Sequence, residues 1–512
     1  VYVWYKEGLM EITAASILSV ILTKETILCM LIGTVGGIII GALPGLSASM
    51  GVALMIPVTY SMEPVPAIVM LASIYTSAIY GGSITASLIN TPGTPASAAT
   101  AMDGFALTQR GEGLKAIGIC TIASMIGGTF SAVMLLLMSE PLARLSLLFG
   151  PPEYCLMGIF GLTIIGSLAG ENMVKGLISG LIGVFVGCIG LDSMLAVPRF
   201  TFHNIALENG VSTVPAMIGM FALGQVMSSA YNIRSGKDSL LDDPTQKLKG
   251  SILPSRKDLK EVMPTIGACS IAGLLIGILP GASGDVGSWV GYNVGKRMSK
   301  HPEEFGHGAI QGIAASESAN NAVTGGAMIP LLALGIPGSG TAALLLGGLM
   351  IHGLQPGYDL FKTSGTLTYG IIWGFLIANI IMGVIGLLIA KQVVKVSRIP
   401  MSILCPVIIA LCAVGSYAIS RNYVDVVLML IFGLAGYFMR ICGFASAPLI
   451  LGLILSEMVE ANYRRTLILS RGANIFTYWL SRKPSVVILI LIVLALLSPL
   501  LMSIIDKKQK KQ

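Results

Sequence analysis

Charge is what this chain has least of. Of its 512 residues 11% are charged and 54% hydrophobic, whereas soluble domains carry about 25% charged residues. That balance excludes a soluble globular protein. Cysteine motifs are missing as well. The eight cysteines, Cys120, Cys188 and Cys442 among them, are scattered through apolar runs. Without Cys-x-x-Cys or Cys/His spacing they read as small buried hydrophobes, not as a disulfide frame or zinc site. There is no His-Glu-x-x-His and no Gly-x-Ser-x-Gly. Gly291-Tyr-Asn-Val-Gly295-Lys296-Arg297 is one residue short of a phosphate-binding loop and lacks its Ser/Thr, so ATP-driven transport within the chain is not expected. No basic and aromatic residues cluster together, which excludes a nucleic-acid role. The first apolar run has no small-residue cleavage site, so it does not read as a signal peptide.

What is present is apolar length. Runs long enough to span recur from end to end, and roughly ten to twelve membrane segments are expected, several of them broken. The reading is an all-α polytopic membrane protein with no separate soluble domain. The net charge of +7 lies in loops and in the tail Lys507-Lys508-Gln-Lys510-Lys511, where it suits anionic headgroups and the positive-inside bias.

Two stretches organise the chain. Gly41-Ala-Leu-Pro44-Gly45-Leu-Ser47 and Gly277-Ile-Leu-Pro280-Gly281-Ala-Ser283 each end one apolar run and begin another. Pro-Gly removes a backbone donor and then permits a positive φ, which breaks a helix. At membrane depth the freed backbone groups are tolerated only beside protein or a wet cavity. Two further breaks are Asn90-Thr91-Pro92-Gly93-Thr94-Pro95 and Ile336-Pro337-Gly338-Ser339-Gly340. The second half repeats the first in order: Gly277–Gly281 matches Gly41–Gly45, Gly325-Gly326 matches Gly81-Gly82, and Pro337-Gly338 matches Pro92-Gly93. This is read as an internal duplication, with the repeats inverted. Residues 1–231 form the first transmembrane repeat and 265–460 the second. Between them 232–264 is a polar linker, placed in the cytoplasm by its Lys/Arg density, and 461–512 is an amphipathic arm with an extra terminal helix and basic tail.

The chemistry follows from what surrounds the breaks. No charged residue occurs in 41–60, 76–102 or 318–351. These stretches offer backbone N–H at new helix starts, together with Ser47, Ser49, Ser83, Thr85, Asn90, Thr91, Thr94, Asn320, Asn321, Ser339 and Thr341; Ser283 is a further hydroxyl beside the Pro280-Gly281 break. A helix N-terminus carries about half a positive charge and free donors, and unwound carbonyls suit small hard cations. A carboxylate brought here meets no protein cation, so co-bound Na⁺ at the broken-helix carbonyls and helix dipoles would compensate it. The expected substrate site is the set of breaks at Pro44-Gly45, Pro92-Gly93, Pro280-Gly281 and Pro337-Gly338 with these hydroxyls and amides. A single Pro-Gly is better explained as a kink; four in two matched pairs point to a secondary transporter. Glu317, with Asn320, Asn90 and Ser49, is the candidate for ion coupling; a structural acid bonded to the asparagines is the equal alternative. Asp285 reads as a helix cap. Asp103 and His352, beside Gly104 and Gly353, read as helix-end residues near the interface.

At these residues the chain resembles the large membrane subunit of the tripartite tricarboxylate transporter family. The resemblance is carried by Gly41–Ser47, Tyr80-Gly-Gly-Ser-Ile-Thr85, Asn90-Thr-Pro-Gly-Thr-Pro-Ala96, Phe149-Gly-Pro-Pro-Glu-Tyr154, Val197-Pro-Arg-Phe-Thr201, Pro302-Glu-Glu-Phe305, Asn320-Asn321, Gly335-Ile-Pro-Gly-Ser-Gly340 and His352-Gly-Leu-Gln-Pro356. It implies a multi-pass permease of the bacterial inner membrane, a small membrane partner subunit, and a periplasmic binding protein that delivers the substrate. It implies uptake of citrate or another di- or tricarboxylate, driven by Na⁺ or another ion gradient such as H⁺, with no cofactor and no enzymatic step. Asp285, and Ser316 and Ser318 flanking Glu317, depart from the pattern and leave the particular carboxylate open. Two rivals differ: a stand-alone sodium:carboxylate symporter, which needs no binding protein, and an intramembrane enzyme, which would alter its substrate.

Overall fold

The computed structural model describes residues 13–43, 46–168, 173–192, 197–234, 251–279, 283–396, 401–494 and 496. Pro44, Gly45, Pro280 and Gly281 lie outside the described residues, as do 235–250 of the polar stretch and the basic tail. The first half contains α1 (Ala14–Ile21), α2 (Lys24–Ala42), α3 (Ala48–Thr59), α4 (Pro64–Ile89), α5 (Ala98–Gln109), α6 (Gly113–Leu145), α7 (Pro151–Leu168) and α8 (Met173–Gly187). A short antiparallel ribbon follows, pairing Gly190 with Arg199. Next come α9 (Thr213–Met217), a π-helical segment at Ile218–Leu223 and α10 (Gly224–Arg234). The second half contains α11 (Arg256–Ile278), α12 (Gly284–Met298), α13 (Ile310–Leu334), α14 (Gly340–Ile351), α15 (Tyr358–Thr363), α16 (Gly365–Val396), α17 (Met401–Ser420), α18 (Tyr423–Ile441), α19 (Ser446–Leu469) and α20 (Ile475–Ser481). After α20 the chain bends by 109° into α21 (Lys483–Leu494).

Among the described residues six helices are long and apolar enough to cross a membrane, or seven if the bent pair α20–α21 counts as one. Helices α3 and α14, of 12 residues each, rise about 18 Å and are too short to span alone. The polar stretch is helical at both ends. α10 runs to Arg234, and α11 begins at Arg256, well before the expected boundary at 265. Ser255 starts α11 with a capping box shared with Asp258, and Lys115 of α6 bonds that Asp258 at 3.1 Å.

The centre is the pair α4 and α13. Every residue from Val65 to Leu88 is buried, and so is every residue from Gly312 to Ala333. A helix buried all round is sheltered from lipid, so it can hold polar side chains that a lipid-facing helix could not. The two run antiparallel: Thr76 Oγ1 donates to Asn321 Oδ1 at 3.3 Å, and further along Ser83 Oγ donates to Glu317 Oε1 at 2.5 Å.

Each central helix holds a partner at very close range through glycine. A methyl at Gly37 would lie 2.8 Å from Ile74 O, and at Gly41 2.0 Å from Ala78 O, where α2 packs on α4. The α11–α13 contact has the same form: a methyl at Gly273 would lie 2.1 Å from Ala319 O, and at Gly277 2.6 Å from Val323 O. From the other side of each contact, Gly81 meets Ile38 O and Gly326 meets Leu274 O. Gly326 therefore stands where Gly81 does, and Ala327 where Gly82 does, one place off the Gly-Gly match read from the sequence. Both central helices also end alike, in the left-handed conformation, at Asn90 (φ 54°) and Gly335 (φ 72°).

Candidate transport site

The chain folds back after each central helix. After α4, Gly93 N donates to Gly82 O at 3.3 Å, which returns the Pro92-Gly93 loop along the helix it has just left. There Gly93 meets Gly41 O, with room for no side chain, since a methyl would lie 2.0 Å away. After α13, Gly338 comes back against Ala327 and Gly277 O, where a methyl would lie 2.6 Å away. Each loop thus reaches the last turn of the helix that leads into the Pro-Gly stretch of its own half.

The starts of the short helices cross between halves. Ser49 Oγ in the first turn of α3 lies 2.8 Å from Thr341 Oγ1 in the first turn of α14. Ser339 N-caps α14 by accepting from Ala342 N at 3.1 Å and pairs with Tyr75 OH of α4 at 3.1 Å. Ser47 N-caps α3, accepting from Met50 N at 3.2 Å. At the other junction the start of α12 meets the loop before α5. A methyl at Gly284 would lie 2.5 Å from Asn320 Oδ1 and 3.3 Å from Ala96 Cβ, and Asn320 Nδ2 donates to Ala96 O at 3.3 Å. Ser283 donates to Asp285 in the first turn of α12.

Glu317 is fully buried on α13 and bonded by hydroxyls from three other helices. Oε1 accepts from Ser83 of α4 and Thr100 of α5, both at 2.5 Å, and Oε2 accepts from Ser124 of α6 at 2.8 Å. Its hydrogen-bond partners are hydroxyls, not the neighbouring asparagines. Asn321 instead joins Thr76, which also donates to Asn379 Oδ1 of α16 at 2.6 Å. Three buried polar atoms nearby have no partner among the described residues: Thr94 Oγ1, Asn320 Oδ1 and Asn321 Nδ2. An unpaired buried polar atom costs about 1–3 kcal/mol, so a ligand that bonds there regains that energy. Amide and hydroxyl oxygens with one nearby carboxylate are hard donors of the sort Na⁺ takes. Among the described residues no three His, Cys, Asp or Glu side chains gather as a transition-metal set.

The expected residues therefore fall into groups. Ser49, Ser339 and Thr341 come together, with Tyr75. Ser83 joins Glu317. Gly93, Thr94, Asn320 and Asn321 line the neighbouring contacts, and Pro337 and Gly338 are buried beside α13. Asn90 is not brought to them: it caps the exposed end of α4, and Thr91 bonds back to Ile89 O. Sequence reasoning missed Tyr75, Thr76, Thr100, Ser124 and Asn379. Their signal was weak, an isolated polar side chain within an apolar helix.

Asp103 corrects the sequence reading. It does not end a helix but sits within α5, fully buried, with Oδ1 accepting from Gly306 N, Gly308 N and Ala309 N at 2.8, 2.8 and 2.9 Å and Oδ2 from Tyr292 OH at 2.9 Å. His352, half-buried at the end of α14, does lie at a helix end. A cavity of about 620 Å³ lies elsewhere, between the ribbon and α19. Glu208, Glu457 and Glu460 line it against Arg199, an acidic surface that does not favour a carboxylate.

The model of the tripartite tricarboxylate transporter TctA family matches residues 27–451. A protein of Agrobacterium vitis, described as the uncharacterized 52.8 kDa protein in the TAR-I ttuC' 3' region, is 35% identical over 451 residues, 88% of this chain and 89% of its own length. A second from that organism, described as an uncharacterized protein in the TAR-II ttuC' 3' region, is 40% identical over 205 residues, 40% of this chain and 85% of its own. No solved structure matches the chain.

Proposed function

This chain belongs to the tripartite tricarboxylate transporter TctA family, and on that premise we propose that it imports a citrate-like di- or tricarboxylate across a bacterial inner membrane by symport with Na⁺. It is a multi-pass membrane transport protein and the large permease subunit of a system with other subunits. We take those subunits to be a small membrane protein and a periplasmic binding protein that hands over the substrate.

The observation that carries the coupling is the composition of the site. Hydroxyls of α4, α5 and α6 meet on one buried carboxylate of α13, the unpartnered Asn320 and Asn321 amide atoms follow it within about one turn, and 76–102 and 318–351 contain no Lys or Arg. A substrate carboxylate there needs positive charge from a co-bound cation and from helix starts. Two inverted repeats are supported by the matched glycine contacts of α2–α4 and α11–α13 and by the antiparallel course of α4 and α13. Alternating access would then shift one set of these elements against the other.

The test is uptake of labelled citrate and related acids into proteoliposomes holding this chain and its small partner. An inward Na⁺ gradient should drive accumulation of unchanged substrate only when the cognate binding protein is present. Accumulation without Na⁺ would refute the coupling. Accumulation without the binding protein would favour the stand-alone symporter.

A further inference from the structure

Helix α5 meets α13 through two polar contacts one helical turn apart. At one level Thr100 Oγ1 donates to Glu317 Oε1 at 2.5 Å and lies 2.9 Å from Ser316 Oγ. Three residues on, Asp103 enters the turn that opens α13. It takes the N–H groups of Gly306, Gly308 and Ala309, the last being the N-cap of α13, and the hydroxyl of Tyr292 on α12. The turn is shaped to receive it. Gly306 and Gly308 have φ of 90° and 102°, and a methyl at Gly312 would lie 2.0 Å from Asp103 Oδ2. Hydrogen bonds to a carboxylate are the stronger kind, and this one also faces the positive end of α13.

Nothing in this arrangement is available to a ligand, since the carboxylate is already saturated. Its effect is geometric. α5 is a 12-residue helix entered from the Pro92-Gly93 loop, and Asp103 fixes how far it lies along α13. We propose that Asp103 is a positioning residue: by setting the register of α5 on α13 it holds the Thr100 hydroxyl on Glu317, and so sets the affinity of the coupling site. This rests on the reading of Glu317 as the ion-coupling residue.

Two measurements test it. The first does not depend on transport. In membranes containing the T100C/S316C protein with its two partners, formation of the 100–316 disulfide is followed by mass spectrometry. Asp103→Ala should slow it about tenfold, while Asp103→Asn, which keeps Oδ1 for the three amides and lets Tyr292 accept instead of donate, should leave it near the parent rate. The second is a cycle of D103A and Thr100→Val, read as the half-saturating Na⁺ concentration of uptake. Each single change should raise it several-fold, and the double variant should be no worse than the weaker-binding single, because both remove one contact. Tyr292→Phe, which leaves the three amides paired, gives a milder variant should D103A not assemble. An unchanged crosslinking rate in D103A, or losses that simply multiply in the double variant, would overturn the proposal. If uptake needs no Na⁺, the Glu317 reading fails while the crosslinking result still decides whether Asp103 sets the register.

Discussion

Glu317 concentrates the chemistry at the scale of single residues. Its three partners are hydroxyls and not cations, so a cation bound nearby would be the group that compensates its charge. Glu317→Gln keeps the volume and one acceptor oxygen; Glu317→Ala leaves Ser83, Thr100 and Ser124 without their acceptor. The expected outcome is that E317Q unfolds within a few degrees of the parent, yet loses about tenfold or more of its Na⁺-dependent uptake, whereas E317A is also destabilised by about 2–4 kcal/mol. Thermal unfolding in detergent and uptake against Na⁺ concentration check both; an E317Q protein with parental Na⁺ dependence would make Glu317 a structural acid. The acid itself was legible in the sequence because it interrupts an apolar region. Its partners were not, since they come from α4, α5 and α6, roughly 190 to 235 residues away along the chain. Asp103 was misread for the same reason. Beside Gly104 it looked like a helix end, while its amide donors lie some 200 residues later at Gly306–Ala309.

Among the elements, α2 against α4 and α11 against α13 are the contacts that set Gly41 and Gly277 beside the Pro92-Gly93 and Pro337-Gly338 loops. Their closeness depends on particular glycines. Gly41→Ala would push a methyl to 2.0 Å from Ala78 O, a backbone atom that cannot swing aside. Gly36, on the same helix, has nothing within 4 Å of an added methyl. G41A should therefore cost about 1–3 kcal/mol through overpacking and lower uptake, while G36A should stay within about 0.5 kcal/mol of the parent. Equal unfolding temperatures for the two variants would show that α2 does not sit on α4 as described. The breaks were visible because Pro-Gly is a local signal. The offset of Gly-Gly by one residue was not, because only packing distinguishes Gly325, which faces Ser131 of α6, from Gly326, which faces α11. The early start of α11 was hidden by its charged first turn, which reads as linker until Ser255 and Asp258 are recognised as a capping box.

Over the whole molecule the two halves are interlocked, not merely adjacent. The helix after each Pro-Gly stretch starts against the other half: α3 against the first turn of α14, and α12 against the loop before α5. The arm at the chain's end is tied in as well, through Arg482 and Ser485 on the buried Glu153 of α7. If these crossings form the transport site, joining them stops the cycle. The most direct measurement is oxidation of Ser49→Cys with Thr341→Cys, whose native oxygens lie 2.8 Å apart, in proteoliposomes containing all the partners. The disulfide should form readily, abolish uptake until reduced, and form more slowly when Na⁺ and substrate are both bound. A disulfide that forms fully while uptake continues at the parental rate would contradict that placement of the site.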